Sequence, residues 1–147
     1  MRFTFVLSIF LTFICGLAHA SEDNAVRDDI AIYIDQHYPN APLQSAVGQL
    51  ARTLQQAMEV DTDDKNAVRA VSALSSRAIN CLYLRYDQRP EGKHPAAIVS
   101  ELEALTANTP ALRKQYAAYN RALSGSVSTL PDGNTCDDEA AINRKPD

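Results

Sequence analysis

The sequence lacks the short motifs by which many reaction centres are recognised. It has no C-x-x-C redox pair, no C-x-x-C-H haem attachment site and no Gly-rich phosphate loop. It also has no tryptophan, no internal repeat and no run of alternating apolar and polar residues that predicts a strand. The missing motifs argue against redox, haem and nucleotide chemistry. The lack of a strand pattern favours an all-α protein.

The net charge of the chain is small. The chain of 147 residues has 14 Lys and Arg against 18 Asp and Glu, which gives a formal net charge of −4 at pH 7. This modest acidity argues against nucleic acid and against anionic membrane surfaces as partners. It is compatible with a basic protein partner.

The first twenty residues, MRFTFVLSIFLTFICGLAHA, have the layout of a secretory signal peptide. Arg2 precedes an apolar run over residues 3–17, and Ala18-His19-Ala20 fits the cleavage pattern before Ser21. The apolar run is about 15 residues long, shorter than the roughly 20 that a membrane-spanning helix needs. We therefore expect residues 1–20 to be removed on export to the periplasm, which leaves no stable membrane anchor.

Cysteine is scarce, and its placement is informative. Cys15 lies in the signal segment, and the residues before it do not fit the lipoprotein pattern. The remaining two, Cys81 and Cys136, form an even count that favours a disulfide in an exported chain. Closing a loop of about 55 residues would contribute roughly 4 kcal/mol. Free thiols are one alternative, and zinc bound with His37 and His94 is another, although no pair has the usual ligand spacing.

Residues 21–147 predict a single domain, an antiparallel bundle of about five helices with one disulfide. Apolar residues recur at helical spacing in five stretches, at about 24–38, 42–58, 65–86, 97–105 and 110–123. The third stretch has apolar residues on more than one face, so we expect it to be the hub of the core. The tail from Ser126 is irregular, and the disulfide would tether it to the third helix.

Two features that suggest a site have simpler explanations. The run Asp61 to Asn66 resembles a calcium loop, but an EF-hand needs an oxygen ligand where Lys65 stands and a glycine where Asn66 stands. Capping of the third helix explains these residues better. His37 is expected on the inner side of the first helix, where a structural role is favoured because no catalytic partner is evident.

Two loops are the predicted partner contacts. Residues 87–95, DQRPEGKHP, contain two prolines and a glycine, and a loop made stiff by proline loses less entropy on binding. Residues 130–134, LPDGN, have turn chemistry and lie beside Cys136. The predicted contact residues are Asp87, Gln88, Arg89, Glu91, Lys93, His94, Asp132 and Asn134.

Tyrosine is the other candidate contact residue, because it buries a ring while its hydroxyl stays in water. Tyr83 pairs with Tyr86 at i, i+3 in the third helix, and Tyr116 pairs with Tyr119 in the fifth. A place at an interface and a place at the edge of the core suit these pairs equally well.

The signal peptide, the helix pattern, the Cys81–Cys136 pair and the charged loop together give a chain that resembles the periplasmic immunity proteins that protect bacteria from type VI secretion amidases. The resemblance implies a protein without catalytic activity, cofactor or metal that binds a peptidoglycan-cleaving effector and blocks its cleft. It also leaves room for a homodimer.

Two other hypotheses remain open. A periplasmic chaperone or adaptor would expose a sizeable apolar patch. An enzyme whose site is assembled from scattered residues would have a pocket of converging polar groups with shifted pKa values.

Overall fold

The computed structural model describes residues 25–86 and 92–137, and these form an all-α bundle with no strand in either range. The expected signal peptide, residues 1–20, lies outside them. The predicted fold class is confirmed, with five helices: α1 (Asp28–His37), α2 (Ala41–Glu59), α3 (Lys65–Arg85), α4 (Pro95–Thr106) and α5 (Pro110–Ala122). None of these helices is long and apolar enough to cross a membrane.

Side-chain caps fix where four of the helices begin. In each case, the residue before the helix accepts a hydrogen bond from a backbone N–H of the first turn. The four are Asn40, Asp64, His94 and Thr109. The Asp64 carboxylate accepts from the N–H groups of Asn66 and Ala67, which confirms the capping interpretation of the acidic run.

The core is organised around α2, and the prediction that α3 is the hub was wrong. Helix α2 packs against each of the other four helices, and most of its inner positions are fully buried. Helix α3 buries only Val68, Ala78, Cys81 and Leu82, while Leu74 and Leu84 are 43% and 54% exposed. The apolar residues of α3 are spread around its axis, so one neighbouring helix covers only part of them.

The disulfide between Cys81 and Cys136 is present and joins α3 to the tail, as predicted, with a Cα–Cα distance of 4.9 Å. Gln49 of α2 reinforces this connection with a pair of hydrogen bonds. Its Nε2 donates to the Thr135 carbonyl at 3.0 Å, and its Oε1 accepts from the Asp137 N–H at 3.2 Å. The tail is therefore part of the packed fold as far as residue 137.

Candidate functional site

The first predicted contact loop joins α3, which ends at Arg85, to α4, which begins at Pro95. The predicted contact residues Asp87, Gln88, Arg89 and Glu91 lie outside the described residues. The described residues on either side of them form what we call the loop face, which consists of Tyr83, Leu84, Tyr86, Lys93 and His94.

The Glu101 carboxylate of α4 accepts hydrogen bonds from three side chains, one of which is Lys93 of the loop face. The Tyr33 hydroxyl donates to Oε1, and the Tyr38 hydroxyl donates to Oε2 at 3.1 Å. The Lys93 ammonium donates to both oxygens, at 2.9 and 2.7 Å, and lies 5.8 Å from the centroid of the Tyr38 ring. These contacts tie α1 and the end of the loop to α4.

The electrostatics of this cluster favour a charged pair. Partial burial of Glu101 disfavours its charge, but the hydrogen bonds from Lys93, Tyr33 and Tyr38 outweigh it and lower the pKa of the carboxyl. The hydrogen bond to Glu101 raises the pKa of Lys93 against the effect of partial desolvation. Burial, followed by the nearby carboxylate, raises the pKa of Tyr38. These shifts favour a charged Glu101–Lys93 pair and a neutral Tyr38 hydroxyl near neutral pH, so the cluster holds Lys93 in place.

His94 is the second fixed point of the loop face. Its Nδ1 accepts the Ala96 N–H at 3.2 Å as the cap of α4. Its ring meets the edges of the Tyr83 and Tyr86 rings, with centroids 6.0 and 5.8 Å away. Of the two tyrosines, Tyr83 is 44% exposed. The histidine thus links the end of α3 to the start of α4 through an aromatic cluster.

His37 is not on the inner side of α1, and that expectation was wrong. It is exposed at the end of the helix, with Nδ1 2.9 Å from the Tyr33 carbonyl oxygen and its ring stacked on Tyr33 at 4.0 Å. The buried side of α1 carries Ile30 and Ile34, and His37 does not lie on it. Within residues 25–86 and 92–137, no group of three or more His, Cys, Asp or Glu side chains could hold a metal ion.

The second predicted contact loop lies along α3. The Asn80 side chain donates to the Gly133 carbonyl at 2.8 Å. Asn80 and Tyr83 are three residues apart and therefore neighbours on the helix surface. Asp132 is exposed, whereas the side-chain Oδ1 of Asn134 accepts the Cys136 N–H at 3.0 Å within the turn. The structure thus brings this turn beside the half of α3 that carries the loop face.

A separate cleft of about 230 Å³ lies between α3 and α5. Its floor includes Leu50 and Leu54, and its rim carries hydroxyl groups and one carboxylate, from Ser72, Ser75, Ser76, Glu103, Tyr116, Tyr119 and Ser128. The sequence analysis missed it. The available signal was the spacing of the serines at i, i+3 and i+4 on α3, which places them on one side of the helix.

Several polar groups of this cleft are hydrogen-bonded to one another. The Tyr116 hydroxyl donates to Glu103 Oε1 at 2.6 Å, and burial, followed by this carboxylate, raises the pKa of Tyr116. Ser76 and Ser128 hydrogen-bond to each other at 2.8 Å. Activation of a serine needs an adjacent base such as histidine, and no histidine is among the described residues that line the cleft.

Comparison with known proteins adds no assignment: no protein family, no curated protein and no solved structure matches the chain.

Proposed function

We propose that the protein is an exported inhibitor that binds a cell-wall-degrading amidase in the periplasm and blocks its cleft, in the manner of an immunity protein. The observation that carries the proposal is the loop face, where half-exposed apolar and aromatic side chains border a loop whose exit is fixed at Lys93 and His94.

The first support is the fixed exit of the loop. Lys93 is paired with Glu101 at 2.7 Å, and His94 is held by its cap and by two tyrosine rings. A loop whose exit is already ordered loses less conformational entropy when it enters a partner's cleft. Lys93 is therefore a positioning residue in this proposal, although its side chain is still about half exposed (48%).

The second support is the composition of the exposed surface. Tyr83 and Leu84 are 44% and 54% exposed at the end of α3. Tyrosine is enriched among the few residues that dominate the energy of protein–protein interfaces. A catalytic role has weaker support, since no histidine is among the described residues that line the serine-rich cleft.

An inhibition assay tests the proposal directly. Each peptidoglycan amidase encoded in the same genome is purified and assayed on isolated sacculi with increasing amounts of the chain from Ser21. We expect one amidase to be inhibited at a one-to-one ratio. Replacing residues 87–91 by a Gly/Ser linker should weaken inhibition, and Tyr83→Ala should raise the Kd by on the order of tenfold or more.

Lys114→Gln is the matched control, because Lys114 is exposed on α5 and has no part in the loop face. It should inhibit like the wild type, and each variant's helix content and Tm are measured first. Lack of inhibition of every amidase would overturn the amidase assignment. Full inhibition by both the linker variant of residues 87–91 and Tyr83→Ala would show that another surface makes the contact.

The exposed apolar side of α3 favours one alternative function, a periplasmic chaperone or adaptor. Leu74 and Leu84 are large and half exposed, and Ala70 and Ala73 are also exposed. A chaperone would suppress aggregation of several unrelated unfolded proteins and would bind a dye for apolar surface. Binding to a single folded amidase, without suppression of aggregation, would exclude this alternative.

A further inference from the structure

A second concave surface lies at the other end of α3 from the loop face. A helix of 21 residues is about 30 Å long, so the two surfaces are far apart. The pocket has a volume of about 390 Å³. It is lined by Lys65, Val68 and Arg69 from α3 and by residues 121–126 at the end of α5.

Three cations at this pocket are not paired with any carboxylate of the described residues. Lys65, Arg69 and Arg121 are exposed, and none of them has an ion pair or a side-chain hydrogen bond within the described parts of the chain. In contrast, Arg27 and Arg52 have carboxylate partners at 2.6 and 3.1 Å. In a protein with a net charge of −4, three unneutralised cations around one pocket form a local positive potential.

Two acidic residues that precede α3 accept hydrogen bonds from backbone N–H groups. The Asp64 carboxylate accepts the N–H groups of the first turn of α3, and the Asp61 carboxylate accepts the Asp63 N–H at 2.9 Å. None of the described residues that line the pocket is an Asp or a Glu. The positive charge of the pocket is therefore available to a ligand.

The wall opposite Lys65 and Arg69 is a tight turn after α5. Gly125 has a φ of +83°, a conformation that suits glycine, and the Ser126 N–H donates to the Leu123 carbonyl at 3.0 Å. The turn adds Ser124 and Ser126 to the lining, and Val68, 1% exposed, is part of the lining from α3.

We propose that this pocket binds a soluble small molecule through a phosphate-type oxyanion. Guanidinium groups bind phosphate in bidentate geometry, a lysine adds a point charge, and the Ser124 hydroxyl can donate to a remaining oxygen, whereas the Ser126 hydroxyl donates to the Leu123 carbonyl at 2.6 Å. The volume leaves room for the rest of a molecule attached to the anion. The acidic net charge argues against a whole anionic membrane surface as the ligand. The inference does not depend on the inhibitor role.

An NMR titration with pyrophosphate tests the proposal. We expect saturable shifts in the backbone amide signals of residues 65–69 and 121–126, and no shifts at the loop face. Arg69→Gln and Arg121→Gln should each raise the Kd about fivefold or more, because each removes one unit charge next to the anion. Lys114→Gln, an exposed cation of α5 outside the pocket, should leave the Kd unchanged.

The outcomes separate the sources of the anion. Absence of a saturable shift at roughly 10 mM pyrophosphate, or a Kd that is unchanged in both arginine variants, overturns the site. Sedimentation with phosphatidylglycerol vesicles, and not with phosphatidylcholine vesicles, that is lost in the arginine variants would assign the anion to lipid and overturn the soluble ligand. Pyrophosphate binding without sedimentation supports the proposal.

Discussion

Removing the disulfide should destabilise the fold by an amount that follows from its place in the chain. In the double variant Cys81→Ala/Cys136→Ala, the unfolded chain regains the freedom of a loop that spans a separation of 55 residues. The chain-entropy model gives this closure about 4 kcal/mol at 25 °C. That is a large part of the 5–15 kcal/mol by which domains are usually stable.

Hydrogen bonds of the tail remain in the variant, so the folded state should keep its helices. Thr135 Oγ1 still donates to the Arg77 carbonyl at 2.6 Å, and Asn80 still binds the Gly133 carbonyl. Cys81 is 1% exposed, so its truncation adds a packing cost to the loss of closure. The loss in the double variant should therefore be at least as large as the loss on reduction of the wild type.

Urea unfolding followed by circular dichroism measures both effects. Oxidised wild type, reduced wild type and the double variant are compared at one pH, and the slope m reports whether the unfolded state has expanded. The reasoning would be refuted if reduction and the double variant each cost less than about 1 kcal/mol with m unchanged. A cost near 4 kcal/mol in the reduced protein would confirm that loop closure is the dominant contribution.

Three further predictions concern single side chains, each measured by urea unfolding. Gln49→Ala should cost about 1–3 kcal/mol, because the buried Thr135 carbonyl loses its donor; a cost near zero would show that water replaces the amide. Asp64→Ala should cost about 1 kcal/mol through loss of the α3 cap, and Asp64→Asn should recover most of it. Because folding lowers the pKa of Glu101, its contribution is present above its usual pKa near 4.5 and is lost as the pH falls through the folded value. Glu101→Gln should therefore be less stable at pH 7 and lose less stability than the wild type between about pH 5 and pH 3; identical pH dependence would contradict the role of the cluster.

Local signals in the sequence predicted the helices well, because each depends on residues that are close in the chain. Thr109 caps α5 and Pro110 is its first residue, as expected from their types. Gly125 follows α5 with a positive φ, a conformation in which glycine often ends a helix. The Cys81–Cys136 pairing followed from counting, since only two cysteines remain once the signal segment is set aside.

The prediction about α3 was wrong because apolar periodicity does not tell which neighbours exist. Ala70, Ala73 and Leu74 have the same types as core residues, yet they are exposed because α2 covers only one side of the helix. The position of His37 was also wrong, since a residue in the last turn can follow the apolar stripe in spacing and still lie beyond the packed surface. Both errors concern how far a neighbour extends, which is a tertiary property.

The two pockets could not be predicted because they join distant segments. Arg69 and Arg121 belong to different helices, and each alone reads as an ordinary surface cation. The contacts of the loop face could not be predicted for the same reason, since they also join segments that are distant in the sequence. Lys93 was predicted as a partner contact from its place in the loop, and its ammonium is paired with Glu101, whose other partners are Tyr33 of α1 and Tyr38 just after α1.

The disulfide connects the tail to α3, the helix that has exposed apolar residues. Helix α3 packs mainly against α2, with smaller contacts to α4 and α5, and the tail supplies further contacts: Ser128 binds Ser76, and Gly133 and Thr135 bind Asn80. The covalent link at Cys81 lies one turn before Leu84 and fixes this arrangement at the end of α3 that carries the loop face. The tail and the disulfide hold the backbone of α3 at this end, where Tyr83 and Leu84 are half exposed. A surface held in this way would lose less entropy on association, which is what the proposed inhibitor role requires.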